Sequence, residues 1–330
     1  METKTIETIT QTTESTLTST TKIIESIEEI EKMKEMETKE TMTEEITIAN
    51  EQIYLSLLKK ILLNNSDYNY RDDRTGIKTL SIFAEQLRFD ITNNKIPLLT
   101  SKYVNFKSII VELIWFLNGD TNVKFLNDNN VKIWNDNSTR EFLDKQGLFH
   151  IETGNIGKSY GYQWRTYTDQ IKNIIDSIRT DPFSRRHILM SYNVADLKEM
   201  ALPPCHIFCQ FYINLDKTIS CHMYQRSVDV FLGLPFNIVS YTVLTYLIGI
   251  MTGYKPKELI ISTGDTHIYS NHLEQIKLQL SRENELYNEP TINIDINNVL
   301  NSNYLRNLNV EWFTINNYKY HPYIKATMAI

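Results

Sequence analysis

The sequence predicts an α/β chain of the α+β type, a mixed β-sheet with flanking helices, on three observations. Helical and strand-like stretches alternate irregularly, which suits a mixed sheet better than a doubly wound parallel one. Two runs rich in aromatic and β-branched residues, 205–214 and 218–227, flank a short polar turn at Asp216 and Lys217 and read as a β-hairpin. After residue 50 no Pro/Gly/Ser-rich linker and no compositional break divides the chain, so 47–330 reads as one large domain.

In chain order, residues 1–46 come first and are almost entirely Thr, Glu, Lys, Ile, Ser and Met. They hold 5 Lys and 12 Glu, while the whole chain carries a net charge of −6, so the acidity belongs to this segment. It reads as a disordered low-complexity tail; the alternative is a short helical stripe of Ile23, Ile27 and Ile30 that pairs with a partner helix. Apolar spacing between polar flanks then predicts helices at 53–63, 104–117, 168–179, 237–251 and 267–280. Strands are expected at 76–89 and 187–192, in the hairpin, and at 258–262 and 291–294.

With a two-residue turn, the hairpin puts Ile207 opposite Arg226 on the face that carries Cys205, making Arg226 a diagonal neighbour of Cys205. A thiol titrates at about 8.5 when unperturbed, and a nearby guanidinium favours the thiolate, which makes Cys205 a nucleophile. A one-residue slip in register would move Arg226 to the other face. His206, the neighbour of Cys205 in a strand, points the opposite way and is no dyad partner. A lone cysteine in a strand reads first as a buried core residue, and the motifs around Cys205 reverse that reading. In this register Cys209 lies about 13 Å along the strand from Cys205 and Cys221 falls on the opposite face, so no disulfide is expected. With three cysteines in all, a reducing compartment fits.

Around the hairpin stand further motifs: Asp73-Arg74-Thr75-Gly76, the apolar run 110–117 with Glu112 inside it, Ile133-Trp134, Tyr160-Gly161-Tyr162-Gln163-Trp164-Arg165, and Ser184-Arg185-Arg186. Pro204-Cys205-His206, Gln225-Arg226-Ser227-Val228-Asp229, Gly233-Leu234-Pro235-Phe236-Asn237, Asp265-Thr266-His267-Ile268-Tyr269 and the terminal Ala329-Ile330 complete the series. From about residue 53 to 330 this succession resembles the thymidylate synthase family, which also includes deoxycytidylate hydroxymethylases.

The resemblance implies that family's fold, a homodimer packed sheet to sheet, and reductive methylation of dUMP to dTMP. The one-carbon donor and reductant would be 5,10-methylenetetrahydrofolate, with no metal and no NAD(P). It implies catalytic roles for Cys205, Glu112, Tyr160, Arg226, Asn237 and Asp229. The dUMP contacts would be Arg74, Arg226, Ser227, Val228, Asp229, Asn237, His267 and Tyr269, with Arg185 and Arg186 donated by the second subunit. The folate contacts would be Ile133, Trp134, Leu202, Asp229, Leu232, Gly233, Phe236 and Ala329. A carboxamide at Asn237 matches the N3–H donor and O4 acceptor of uracil, where Asp would favour cytosine; its alternative is a helix N-cap before Ile238.

Three positions depart from the family pattern: Tyr103 where a second basic residue is usual, Asn105 where some members have His, and Lys158 where Pro is common. A deoxyuridylate hydroxymethylase and an idle binding protein for RNA are the rivals. Near-neutral charge beyond the tail and the lack of a basic stripe give RNA binding no support. No run of some 18 uncharged apolar residues and no signal or transit pattern is seen, so a soluble cytoplasmic protein with no membrane partner is expected.

Overall fold

The computed structural model describes residues 49–63 and 69–328. The expected tail, 1–46, and Ala329 lie outside the described residues, and Ala49–Ile330 clusters as one compact unit. The main sheet contains β1 (Tyr70–Arg71), β2 (Thr79–Phe83), β3 (Gln86–Asp90), β4 (Ile188–Met190), β5 (His206–Ile213), β6 (Thr218–Asp229) and β7 (Lys255–Tyr269). Their order is β1-β2-β7-β6-β5-β4, with β3 also paired to β7. Only β6 and β7 run parallel, so the sheet is mixed, as the sequence predicts. A second, two-stranded sheet joins β8 (Thr291–Ile294) to β9 (Phe313–Asn316).

Parallel neighbours need a crossover, and here it is the helix Gly233–Thr252, apolar on nearly every side and closed by Gly253 in the left-handed region at φ 83°. This helix is long and apolar enough to cross a membrane, contrary to the expectation that no such run occurs, but 83% of its most apolar window is buried inside the protein. It is a core helix. The helix Phe106–Asn118 is capped by Asn105, whose side chain accepts from Ser108 N at 3.2 Å, and ended by Gly119 at φ 79°. Every residue from Ser108 to Leu117 in it is buried, Glu112 included. Helices Asn50–Leu62 and Gln170–Thr180 lie within a few residues of their predicted bounds.

The hairpin register differs from the expected one in two places. Its loop has three residues, not two: Lys217 N donates to Asn214 O, Asn214 N to Thr218 O, and Lys217 takes φ 60° to close the turn. That slips the pairing by one, so Ile213 faces Ile219 and Cys209 faces Met223. A bulge between His206 and Phe208 slips it once more, so Arg226 N donates to Cys205 O at 2.8 Å and the two residues are directly opposite. Two slips restore the face. The same bulge turns Cys205 away from Cys209, and Cys221 shares the buried face of Cys209 instead of opposing it.

Two other elements depart from expectation. The predicted strand 76–89 is broken at Ala84, φ 66°, into β2 and β3, both paired with β7. The predicted helix 267–280 begins only at Leu273, because paired neighbours on both sides hold β7 extended as far as Tyr269. His267 and Tyr269 therefore stand on a strand end, not on a helix start.

Candidate active site

Cys205 is half-buried where β5 begins. Arg226 reaches back over it: Nε donates to Pro204 O at 2.8 Å, Nη2 to Pro203 O at 2.7 Å, and Nη2 lies 4.0 Å from Sγ. Gly264 makes this packing possible, since a Cβ there would stand 2.6 Å from Arg226 O. The guanidinium does not win the electrostatic contest. Burial pushes the thiol above its usual value, while Arg226 and then Arg74 pull it down, the direction expected of the guanidinium.

Arg74 is exposed on a turn in which Asp73 Oδ1 accepts from Thr75 N and Oγ1, and Gly76, at φ 74°, donates to Asp73 O. His206 is buried, bonded through Nδ1 to Tyr241 OH at 2.8 Å, and driven down to about 3 by burial. It is not a base.

Behind the thiol lies an aromatic wall. Tyr160 OH accepts from Cys205 N at 2.8 Å, and its ring stacks on His206 at 4.1 Å between centroids. Burial holds the Tyr160 phenol well above its usual range. Trp134 and Phe116 contact the same ring, and Trp134 Nε1 donates to Glu112 Oε1 at 2.6 Å. Burial raises Glu112 to about 7, with the indole hydrogen bond as the opposing effect. A carboxyl poised there exchanges protons at neutral pH.

Asn237 lies inside its helix, not at the N-cap; its Oδ1 accepts from Gln225 Nε2 at 3.0 Å, which fixes the amide's orientation. Gln225 is the residue that sequence reasoning missed, although it lies in a quoted motif; its Oε1 is buried with no partner among the described residues. Asp229 Oδ1 accepts from Phe231 N and Leu232 N, and Asp229 pairs across the sheet with His267. His267 Nδ1 is bonded to Asp265 Oδ1 at 2.9 Å, and its ring meets Tyr269 edge-on at 5.3 Å. Ser227 and Val228 continue β6, but the Val228 side chain is wholly in the core, which leaves only its backbone for the contact the resemblance implies.

Ile133, Trp134, Leu202, Leu232 and Phe236 are half-buried, each with part of its apolar surface open. A Cβ on Gly233 would touch only Asp229 Cβ at 3.6 Å, so this glycine leaves open space and serves no tight backbone contact. These groups fit a flat heteroaromatic ligand with one hydrogen-bonding edge. Tyr103, at a family departure, packs its ring 4.7 Å from Tyr320, and Lys158 pairs with Asp196 at 3.0 Å.

Arg185 and Arg186 are not brought to this site. They are exposed on the loop before β4, with no side-chain bond among the described residues. Since Ile188 pairs with Gln210, they stand beside the far end of β5, roughly 20 Å from Cys205 at about 3.3 Å per residue.

A family model described as thymidylate synthase matches residues 52–330. A thymidylate synthase of Brachyspira hyodysenteriae is 46% identical over 286 residues, covering 84% of this chain and all of that one. Bifunctional dihydrofolate reductase-thymidylate synthases of Plasmodium chabaudi and Plasmodium berghei are 42% and 40% identical over 294 residues. Those matches cover 84% of this chain, which spans about half (48%) of each bifunctional relative.

Proposed function

The chain belongs to the thymidylate synthase family, and from that premise we propose how its residues carry out the reductive methylation of dUMP to dTMP. Arg74, Arg226 and Ser227 hold the nucleotide phosphate, whose acceptor oxygens suit guanidinium forks. Cys205 Sγ adds to C6 of the uracil as its thiol proton leaves, and the C5=C6 electrons move into an enolate at C4–C5. Arg226, 4.0 Å from the sulfur, favours the charged thiolate that burial disfavours at rest. The co-substrate 5,10-methylenetetrahydrofolate supplies the one-carbon unit and the hydride and departs as dihydrofolate.

Asn237 reads the base. With one Oδ1 lone pair taken by Gln225, the other accepts N3–H while Nδ2 donates to O4. Glu112 relays protons to and from O4 and the folate through water. Tyr160 stays protonated, so it orients the water that removes the C5 proton and is not itself the base. Trp134, Ile133, Leu202, Leu232 and Phe236 form the folate wall, and Trp134, held by Glu112, shields the one-carbon unit from water. Asp229 keeps Oδ2 for the pterin edge, its Oδ1 being committed to the start of the helix.

The working unit in this reading is a homodimer. Cys205, Arg226, Phe208 and Tyr224 share a sheet face with the exposed Ile188, Met190 and Tyr212, an apolar strip suited to a second copy. A partner seated there brings its own Arg185 and Arg186 to the phosphate.

The observation that carries the mechanism is Cys205 set directly opposite Arg226. Its test is turnover of dUMP with methylenetetrahydrofolate, following dihydrofolate by absorbance and the nucleotide by mass, with Cys205→Ala alongside. Equimolar dihydrofolate and dTMP from the wild type alone is the expected result. Turnover by Cys205→Ala would remove the cysteine from the chemistry, and a hydroxymethylated nucleotide without dihydrofolate would replace hydride by water as the last reactant.

A further inference from the structure

We propose that Asp265 is a positioning residue that sets the ring state of His267, and thereby makes the site sensitive to the nucleotide 3′-hydroxyl. The inference rests on the reading that His267 and Tyr269 meet the sugar. Asp265 and His267 are two apart on β7, and Asp265 Oδ1 lies 2.9 Å from His267 Nδ1. A carboxylate only accepts, so the proton of a neutral ring sits on Nδ1 and the Nε2 lone pair is left to accept.

The rest of the environment leaves Nε2 for a ligand. Its ring is buried to 8% exposure, no hydrogen bond reaches Nε2 among the described residues, and Tyr269 approaches edge-on. Asp265 stays ionised: its bond to His267, opposed by burial, and the more distant Arg71 hold its carboxyl below the usual value. Were the ring to take the other tautomer, Nε2 would donate to the hydroxyl oxygen instead, and the hydroxyl's own proton would lose this acceptor. Asp265 therefore selects for a 3′-hydroxyl without touching it. Its spacing from His267 is the only mark of this in the sequence.

The test compares dUMP with 2′,3′-dideoxyuridine 5′-monophosphate, in the wild type and in Asp265→Ala and Asp265→Asn. The wild type is expected to favour dUMP in kcat/KM, and Asp265→Ala to lose about tenfold of that preference, the equivalent of one hydrogen bond. Asp265→Asn, which keeps an accepting oxygen, should recover part of it. Nitrogen NMR of the wild-type ring should find the proton on Nδ1, which tests the proposal even if Asp265→Ala does not fold. A proton on Nε2, or an unchanged preference in a folded Asp265→Ala, overturns the role of Asp265. A wild type indifferent to the 3′-hydroxyl overturns the sugar reading itself, and the proposal with it.

Discussion

At Glu112 two effects oppose each other, and burial prevails over the indole hydrogen bond, lifting the carboxyl from 4.5 to about 7. The folded state then holds a proton that the unfolded state gives up between those values, so stability is lost as pH rises through that window. The loss amounts to on the order of 3 kcal/mol once both states are ionised. Glu112→Gln should therefore melt higher than wild type at pH 8 and nearly level with it at pH 5, while kcat falls by about 10² or more. A melting difference independent of pH would mean that the carboxyl is not raised. The residue was legible as an acid inside an apolar run; its hydrogen-bond partner Trp134 was not, because 22 positions separate them and only the fold closes the gap.

The hairpin shows how far an element can be read from its sequence. Both strands follow from period-two alternation, whereas the loop length and the bulge, which together set the facing of Arg226 toward Cys205, do not, because neither leaves a periodic mark. The two one-residue errors cancel at Cys205 but not at Cys221, which the expected register put on the wrong face. The strand end that carries His267 was read as helix because its β-conformation is imposed by neighbours distant in sequence. Lys217 gives the loop a direct test, since it holds φ 60° without the freedom of glycine. Lys217→Gly should stabilise the fold by roughly 1 kcal/mol, raising Tm by a few degrees with kcat unchanged. A lower Tm would mean that the lysine side chain contributes more than the strain costs.

For the whole molecule, the roughly 20 Å between Cys205 and the exposed arginines of the same chain makes activity a property of two copies in the proposed homodimer. Cys205→Ser and Arg186→Ala are each expected to be nearly inactive. Mixed in equal amounts and allowed to exchange subunits, they should recover about a quarter of wild-type activity, because each mixed dimer holds one intact site. No recovery despite proven exchange would place Arg186 outside the partner's site.

Between Cys205 and Tyr269 the chain makes one hairpin and one parallel crossover, and the residues proposed as nucleophile, base reader and sugar readers all lie within that span. Apart from Arg74, Arg185 and Arg186, proposed for the phosphate, the nucleotide half of the site is therefore carried by one continuous block of chain. A recombination breakpoint between β6 and β7 would set strands of two parents side by side, where any residue with a Cβ at position 264 would stand 2.6 Å from Arg226 O. Pieces upstream of Pro203 reach the same site only through the fold, as Tyr160 does when its OH accepts from Cys205 N at 2.8 Å.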